Sequence, residues 1–581
     1  MSRSVIDRLS GCPITHNNQS GSSSSTTAST STSISTPPPL TNIASSSRPR
    51  SISPASTPLT PLSDTTSMND LPTANTSSTF LSPFTPQLQS PLLRAPSEII
   101  QKVLSVSGGD QVQTIAKVAK VCRELRSIIY GDNDQSLWRN IYLEHYDDPR
   151  LTGTYTSIKL SSNIDWKKRV QDRELVGKLF QHGNVDNSEE ANGHSELIIS
   201  TLLEMYLDLP ALQPTTNSSE SEDSFNSPLL SKWLSSALFK SIYERNYFLP
   251  SSSLPDTKQP IPFPKRVNRK PVDPTISRLH CLIPPMYNDE SSRDREWRGH
   301  VRESVYNAAN YQENNDYGPF TEDGKVDWAL VDAISSEDLV CNAQEIIDTE
   351  PDAWLPAVQP MSHGIEPVRG WGYDDLRRPD NLTEDDIWDW AGVEGSWCGC
   401  YAFMDYSDWA MMNHEQLGIH IGRPQNIDLS TYHEALGDLM KLELKICTDP
   451  NADGKRSTRC ENHEFEQRDR RNPLPSIETD LPKSNLLPPI YFHGSSTPYP
   501  GGDQLTPTLP QNAIRGMVTL TFDDPPQVRW TMIIRYRGQD RWRLECVQVG
   551  GRGSKRGFFG IWSDASRAEH SPYGPAWYWK V

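Results

Sequence analysis

The N-terminal part of the chain has very few charged and aromatic residues. Between positions 14 and 90 there are only four charged side chains and two aromatic rings, among long runs of serine and threonine. A segment of this composition buries too little apolar surface to offset the conformational entropy that is lost on ordering. We therefore expect residues 1–90 to form a disordered tail rich in Ser, Thr and Pro.

The chain also lacks excess basic charge, paired cysteines and long apolar runs. Its net charge of -18 disfavours binding to nucleic acid or to an anionic membrane, because either would need a basic surface. Its nine cysteines are an odd number without a framework spacing, which favours a reducing compartment. No N-terminal signal core or membrane-spanning run is visible. We expect a cytoplasmic or nuclear protein that binds neither nucleic acid nor membrane.

The segment 91–145 has a helical pattern of apolar residues. Pro96 suits the first turn of a helix, and Glu98 favours its positive N-terminal end. The apolar positions fall into two runs separated by Ser-Gly-Gly-Asp: Ile99, Ile100, Val103 and Leu104, then Ile115, Val118, Val121, Leu125, Ile128 and Ile129. A segment of roughly 45 residues buries too little apolar surface to be stable alone, so an apolar face left over predicts a partner surface.

These parts resemble an F-box in type, order and spacing. The matching motifs are Pro-x-Glu-Ile-Ile from Pro96, Val-x-Lys-Val-Cys-Arg-x-Leu from Val118, and Leu-Trp-Arg from Leu137. Ala95 departs from the Leu that usually precedes the proline. The resemblance implies docking to a Skp1-type adaptor, and hence to a cullin, through ten residues: Leu92, Leu93, Pro96, Ile99, Ile100, Val103, Val118, Val121, Leu125 and Trp138. The alternative is an ordinary helical hairpin at the edge of a larger core.

Two further regions connect the F-box to the C-terminal part. Residues 146–250 predict a helical linker, with helices at Leu197–Leu209 and Leu229–Phe248. Residues 251–390 are acidic and irregular, and predict short helices joined by long connections.

From residue 391 the apolar pattern changes to a period of two. One example is Met440–Cys447, and another is the hairpin of Val528–Tyr536 with Trp542–Val549. Many antiparallel strands with Gly-rich turns predict a β-barrel or closed sandwich over 391–581. Residues 449–489, rich in charge and proline, predict a long loop within it. The fold class is therefore α+β, with N-terminal helices and a C-terminal antiparallel β-barrel-like domain.

The C-terminal strands also resemble a known substrate domain. Gly395–Tyr401, Gly560–Arg567 and Tyr573–Lys580 look like that of the F-box-only family that includes the cyclin-D-directed and damaged-protein-directed receptors of animals, whose fungal members share the layout. The resemblance covers the F-box and residues 392–581. It implies a barrel that captures a degron of a protein substrate. Animal members hold a structural zinc, but no matching ligand set is present in this sequence.

The same strands suggest where a substrate would bind. An unfilled barrel leaves an aromatic-lined pocket, and an arginine rim suits a peptide end. The candidate substrate-binding residues are Arg529, Trp530, Arg535, Trp562 and Arg567. Cys398 and Cys400 share one strand face without a second pair at zinc spacing, so we expect neither metal nor cofactor.

The patterns together predict a non-catalytic substrate-recognition subunit of an SCF-type (Skp1–cullin–F-box) ubiquitin ligase, which directs proteins to proteasomal degradation. Two alternatives remain at this point. One is an F-box scaffold that acts outside the ligase. The other is a carbohydrate-active β-barrel, in which carboxylates such as Asp389 and Glu394 would work beside the tryptophans around them.

Overall fold

The computed structural model describes most of the chain after residue 89. The described residues are 90–106, 111–131, 135–151, 164–182, 193–210, 224–246, 274–282, 292–335, 376, 378–383, 386–420, 427–432, 434–437, 439–448, 476–498, 512–536, 539–567 and 571–581. All of them belong to one compact unit, Gln87–Val581. The predicted disordered tail, 1–90, lies outside the described residues except for Ser90.

In the described part of the segment that resembles an F-box, four helices follow a short 3-10 turn. They are α1 (Ser97–Ser105), α2 (Gln111–Val118), α3 (Arg123–Tyr130) and α4 (Ser136–His145), after the turn Pro91–Arg94. The second apolar run of this segment is divided between two helices. The division falls at Cys122, which is extended (φ -154°) and whose Sγ accepts the Leu125 amide at 3.5 Å, as a helix N-cap does.

Between α4 and the first strand, the described residues contain seven more α-helices. They are α5 (Trp166–His182), α6 (Ser195–Leu207), α7 (Asn226–Leu234), α8 (Ala237–Asn246), α9 (Pro274–Leu282), α10 (Ser292–Val305) and α11 (Trp328–Ser335). The predicted single helix Leu229–Phe248 is wrong, because α7 and α8 are separate. The Ser236 hydroxyl lies between them. It donates to the Trp233 carbonyl near the end of α7 at 2.7 Å and accepts a hydrogen bond from the Phe239 amide of α8 at 3.1 Å. No helix in the described part of the chain is both long and apolar enough to cross a membrane.

The C-terminal strands form a closed barrel, which confirms the predicted architecture. The strands are β1 (Gly395–Phe403), β2 (Ala435–Leu436), β3 (Met440–Cys447), β4 (Lys483–Ser484), β5 (Ile490–Pro498), β6 (Asn512–Thr521), β7 (Val528–Tyr536), β8 (Gln539–Gln548), β9 (Phe558–Asp564) and β10 (Tyr573–Lys580). Eight strands make the antiparallel ring β1-β3-β5-β6-β7-β8-β9-β10, and β10 pairs with β1 to close it. A short helix, α12 (Tyr406–Met412), lies between β1 and β2.

Two short strands lie outside the ring. β2 pairs with β1, and β4 pairs with β6. β4 falls inside the segment 449–489 that the sequence predicts as a loop, so that prediction is wrong for Lys483–Ser484. Residues 449–475 of the predicted loop lie outside the described residues.

Large aromatic side chains fill the middle of the barrel. Trp397 and Trp530 are fully buried, with ring centroids 5.1 Å apart, and Phe558 stacks on Trp530 at 4.4 Å. Because Gly399 has no side chain, the Tyr578 ring can pack against its backbone. A Cβ at this position would lie 2.1 Å from Cδ1 of Tyr578. The middle of the barrel is therefore a packed core, as in other eight-stranded barrels.

Helices cover part of the outer wall of the barrel. Phe559, Trp577 and Trp579 point outward from β9 and β10 and are nonetheless buried. They share one hydrophobic cluster with Ile198 of α6 and Leu282 of α9. The helical region and the barrel are thus packed together through this wall.

Candidate functional site

One end of the barrel is closed by the segment 388–393, which we call the closing segment. Trp390 is fully buried there, and its Nε1 donates to the Pro488 carbonyl at 2.8 Å. Arg552 Nε donates to the Trp390 carbonyl at 2.7 Å, and its guanidinium lies 5.2 Å from the Trp388 ring. These described residues therefore cover this end of the barrel.

The opposite end holds a pocket, which we call the mouth pocket. It lies where β1, β5, β7 and β9 end and where β3, β6, β8 and β10 begin, and its cavity volume is about 620 Å³. This volume falls in the usual range of small-ligand sites, roughly 300–1,000 Å³. The lining residues are Tyr401, Phe403, Met440, Ser496, Pro498, Asn512, Ile534, Tyr536, Arg541, Trp542, Leu544, Trp562, Pro572, Ala576 and Tyr578.

Trp562 is the centre of the aromatic wall of the mouth pocket. Three lining rings stand edge-on to it: Trp542 at 5.1 Å, Tyr401 at 5.8 Å and Phe403 at 6.5 Å. Its Nε1 donates to the Ala402 carbonyl at 2.9 Å, so the indole is fixed in place. The predicted substrate-binding residue Trp562 therefore does line a pocket, and the wall around it favours an apolar or aromatic guest.

Electrostatically the mouth pocket is close to neutral. Arg541 is its one charged residue among the described lining, and its side chain is 51% exposed. That guanidinium lies 3.3 Å from the Asp564 carboxylate and 4.9 Å from the Trp542 ring centroid. No described lining residue is a carboxylate, so the pocket lacks the acidic pair that glycoside hydrolysis requires. Asp389, which the carbohydrate alternative needs, instead accepts the Val393 and Glu394 amides, each at 2.8 Å.

The other predicted substrate-binding residues do not line the mouth pocket. Trp530 lies in the packed middle of the barrel and donates to Gln548 at 3.1 Å. Arg535 donates to Asp540 at 2.9 Å. The arginine among the described lining residues is Arg541, and the predicted rim residue Arg535 lies outside this pocket.

Arg529 and Arg567 belong to a buried ion cluster on the outer wall. Arg529 Nη2 pairs with Asp316 and lies 2.6 Å from Oε2 of Glu545, while Arg567 pairs with the other oxygen of Asp316. Burial alone would raise the pKa of Asp316, but the guanidinium groups of Arg529, Arg567 and Arg543 hold it below its usual value. Asp316 has a φ of 54°, so this cluster fixes a turn in the left-handed region against the barrel.

The two cysteines of β1 face the helices. Cys398 and Cys400 are fully buried in the hydrophobic cluster that joins the barrel to the helical region. Burial raises the pKa of each thiol to about 12, so both remain protonated at neutral pH. Within the described ranges no group of three or more His, Cys, Asp or Glu side chains could hold a metal ion.

The predicted adaptor-binding residues divide into exposed and buried sets. Ile99 and Val103 lie one turn apart on α1 and are 55% and 57% exposed. The other exposed members are Leu92 (52%), Val121 (73%) and Pro96, and Leu93 and Val118 are half-buried. We call Leu92, Ile99, Val103 and Val121 the exposed apolar set.

Three of the predicted adaptor-binding residues are core residues of the helical segment. Ile100, Leu125 and Trp138 are at most 4% exposed and share one hydrophobic cluster. Trp138 Nε1 donates to the Ile129 carbonyl at 2.8 Å. In this conformation α1 to α4 bury these three side chains by packing on one another, and adaptor contact through them stays a prediction.

A buried polar joint connects these helices to α5 and α6. The Asp208 carboxylate accepts from Tyr142 at 3.0 Å, from Arg173 at 2.6 Å and from Arg169 at 2.7 Å. The guanidinium of Arg173 also lies 4.6 Å from the Tyr142 ring centroid. Buried hydrogen-bond networks add rigidity, so the joint holds the exposed apolar set relative to α6, which itself contributes to the cluster on the barrel wall.

Comparison of the chain with protein-family models, with curated proteins and with solved structures found no match.

Proposed function

We propose that this chain is the substrate-recognition subunit of an SCF-type ubiquitin ligase. In this proposal the exposed apolar set docks a Skp1-type adaptor, which connects to a cullin, and the mouth pocket takes part of a protein substrate. The motifs that resemble an F-box suggest this partner. The observation that carries the proposal is the exposure of Ile99 and Val103 on the same side of α1.

Such exposure is unfavourable unless a partner covers it. Burying one large aliphatic side chain stabilises an interface by about 1.5–3 kcal/mol, and adjacent exposed aliphatics mark protein contact sites. Ile100 and Leu104, on the adjacent side of the same helix, are buried. The helix therefore has one side for its own core and a second apolar side for a partner.

The chain itself would carry out no chemistry in this role. Holding a target beside a charged ubiquitin carrier raises its effective concentration, and proximity of this kind is sufficient to accelerate transfer. The buried joint around Asp208 supports the proposal, because a receptor has to hold its two binding surfaces at a fixed separation.

The test is co-purification of the full chain with a recombinant Skp1-type adaptor. We expect the double variant Ile99→Ser/Val103→Ser to weaken adaptor binding about tenfold or more, as loss of an interface hot spot does. The matched control is Leu486→Ser/Phe522→Ser, two apolar residues of the barrel region that are 46% and 56% exposed. Undiminished adaptor capture by the α1 variant, with control and wild type alike, would remove the assignment.

A cullin arm of the same experiment separates the ligase from a scaffold. A ligase receptor brings the cullin down together with the adaptor, whereas a scaffold that acts outside the ligase retains the adaptor alone. Ubiquitin transfer to captured proteins, compared between wild type and the α1 variant, then reports whether the complex is productive.

A further inference from the structure

The floor of the mouth pocket carries one polar group without a partner. Ser496 lies on β5, is fully buried and lines the pocket. Among the described residues, none forms a hydrogen bond with its Oγ. A buried hydroxyl without a partner is unfavourable, and most buried polar atoms in folded proteins have one.

The position of Ser496 places this hydroxyl one layer below the mouth. It pairs with Leu442 on β3, a fully buried interior residue, and with Asn512 on β6, at the start of that strand. Pro498, two residues further along β5 on the same face, also lines the pocket. The innermost atoms of a guest therefore lie next to Ser496, and because its Oγ is fully buried in this conformation, the neighbouring side chains shift slightly to allow contact.

We infer that the mouth pocket binds the side chain of a tyrosine or tryptophan in a partner protein, whose ring O–H or N–H donates to Ser496 Oγ. The ring finds edge and face partners in the wall around Trp562, Tyr401 and Trp542. The inference rests on the proposed function, because it names the substrate class of the pocket assigned there.

The pocket disfavours the other classes of side chain. A phenylalanine or leucine would leave Ser496 without a partner, and a site built around a hydrogen bond rejects an analogue that lacks it. An acidic group would find only Arg541, which already pairs with Asp564 at 3.3 Å. A lysine or arginine would find no carboxylate among the described lining residues.

Matched small probes test the inference on the purified full chain. The pairs are 4-methylphenol with toluene, and 3-methylindole with 1,3-dimethylindole, so that only the first member of each pair carries an O–H or N–H donor. Dissociation constants come from ligand-observed NMR titration. We expect each donor probe to bind about tenfold more tightly than its partner, the usual effect of one hydrogen bond. Equal affinity within both pairs, or no binding of any probe, would overturn the inference.

Variants of β5 assign the preference to one hydroxyl. We expect Ser496→Ala to abolish the preference and to leave toluene binding unchanged. Ser495→Ala, a half-buried serine on the other face of the strand, is the matched control and should keep it. A preference that survives in Ser496→Ala contradicts the inference. If Ser496→Ala does not fold, as judged by its thermal unfolding, the two probe pairs on the wild type still decide.

Peptides separate a protein guest from a free small molecule. A blocked pentapeptide with a central tyrosine should bind more tightly than 4-methylphenol and about tenfold more tightly than its phenylalanine counterpart. A protein that binds the free phenol but neither peptide contradicts the inference. Adaptor co-purification does not involve the mouth pocket, so failure of this test and failure of the proposed ligase role are distinguishable.

Discussion

At the scale of single residues, the ion cluster around Asp316 makes a prediction about pH. The pKa of Asp316 is lower in the folded protein than in the unfolded chain, where it is about 3.9. Its stabilising contribution is therefore complete above about pH 5 and is lost as the pH falls through the folded pKa. We expect Asp316→Asn to lower the free energy of unfolding at pH 7 by about 3–5 kcal/mol, the cost of breaking a buried ion pair.

The measurement is urea unfolding of Asp316→Asn and wild type between pH 7 and pH 3. The difference in the free energy of unfolding between variant and wild type should shrink toward low pH, because acid neutralises the wild-type Asp316 carboxylate as the substitution does. Glu322→Gln, an exposed residue in the same segment, is the control and should not differ from wild type by more than about 0.5 kcal/mol. A difference that stays constant with pH would mean that the Asp316 charge is not the source.

Gly399 makes a second prediction at this scale. A Cβ there would lie 2.1 Å from Cδ1 of Tyr578 and 2.4 Å from the Trp577 carbonyl, so the β10 backbone itself has to move. We expect Gly399→Ala to destabilise the protein by about 1–3 kcal/mol, as overpacking of a core does. Calorimetric unfolding of the variant and of the wild type measures this loss of stability. The control is Gly193→Ala, whose added Cβ meets nothing within 4 Å; an equal melting temperature for both variants would refute the packing argument.

For single residues, the sequence predicts which face of a strand a side chain lies on, but it does not predict the ion-pair partner of that side chain. The period of two predicts that Trp530 and Arg529 lie on opposite faces of β7, and they do. It does not predict that the Arg529 guanidinium donates to the carboxylate of Asp316, which lies more than two hundred positions earlier in the sequence. Long-range pairing of charges has no local signal. The ion pairs of Arg529 and Arg567 with Asp316 could not be predicted for this reason.

At the scale of elements, the closing segment makes a third prediction. Trp390 fills one end of the barrel, and its indole is fully buried. We expect Trp390→Ala to destabilise the protein by about 3–5 kcal/mol, the usual cost of deleting a large buried aromatic side chain. Trp388→Ala, at a half-buried ring in the same segment, should cost less. Urea unfolding of the two variants decides, and a larger loss for Trp388→Ala would contradict the role of Trp390.

Elements with strong period-two alternation could be predicted, whereas the long strand β5 could not. Met440–Cys447 and Val528–Tyr536 have the predicted bounds. β5 is absent from the prediction because His493, Gly494 and Ser495 interrupt its apolar pattern. Ser496, the polar group of the mouth pocket, was missed for the same reason. Knowledge that a barrel closes only with an even ring of antiparallel strands could have drawn attention to this interval.

At the scale of the whole molecule, the packing of the helices on the barrel wall makes a fourth prediction. Phe559, Trp577 and Trp579 face outward and are at most 1% exposed, because helical residues cover them. A fragment of residues 376–581 keeps the closing segment but uncovers this wall. Since large exposed apolar patches lead to association, we expect the fragment to aggregate or to lose cooperative unfolding.

A fragment of residues 87–581, which retains every described element, should unfold cooperatively. Size-exclusion chromatography and thermal unfolding of the two fragments provide the comparison. A monomeric 376–581 fragment that melts cooperatively within about 2–4 °C of the longer one would instead show that the barrel is an independent domain and that the helices only rest on it.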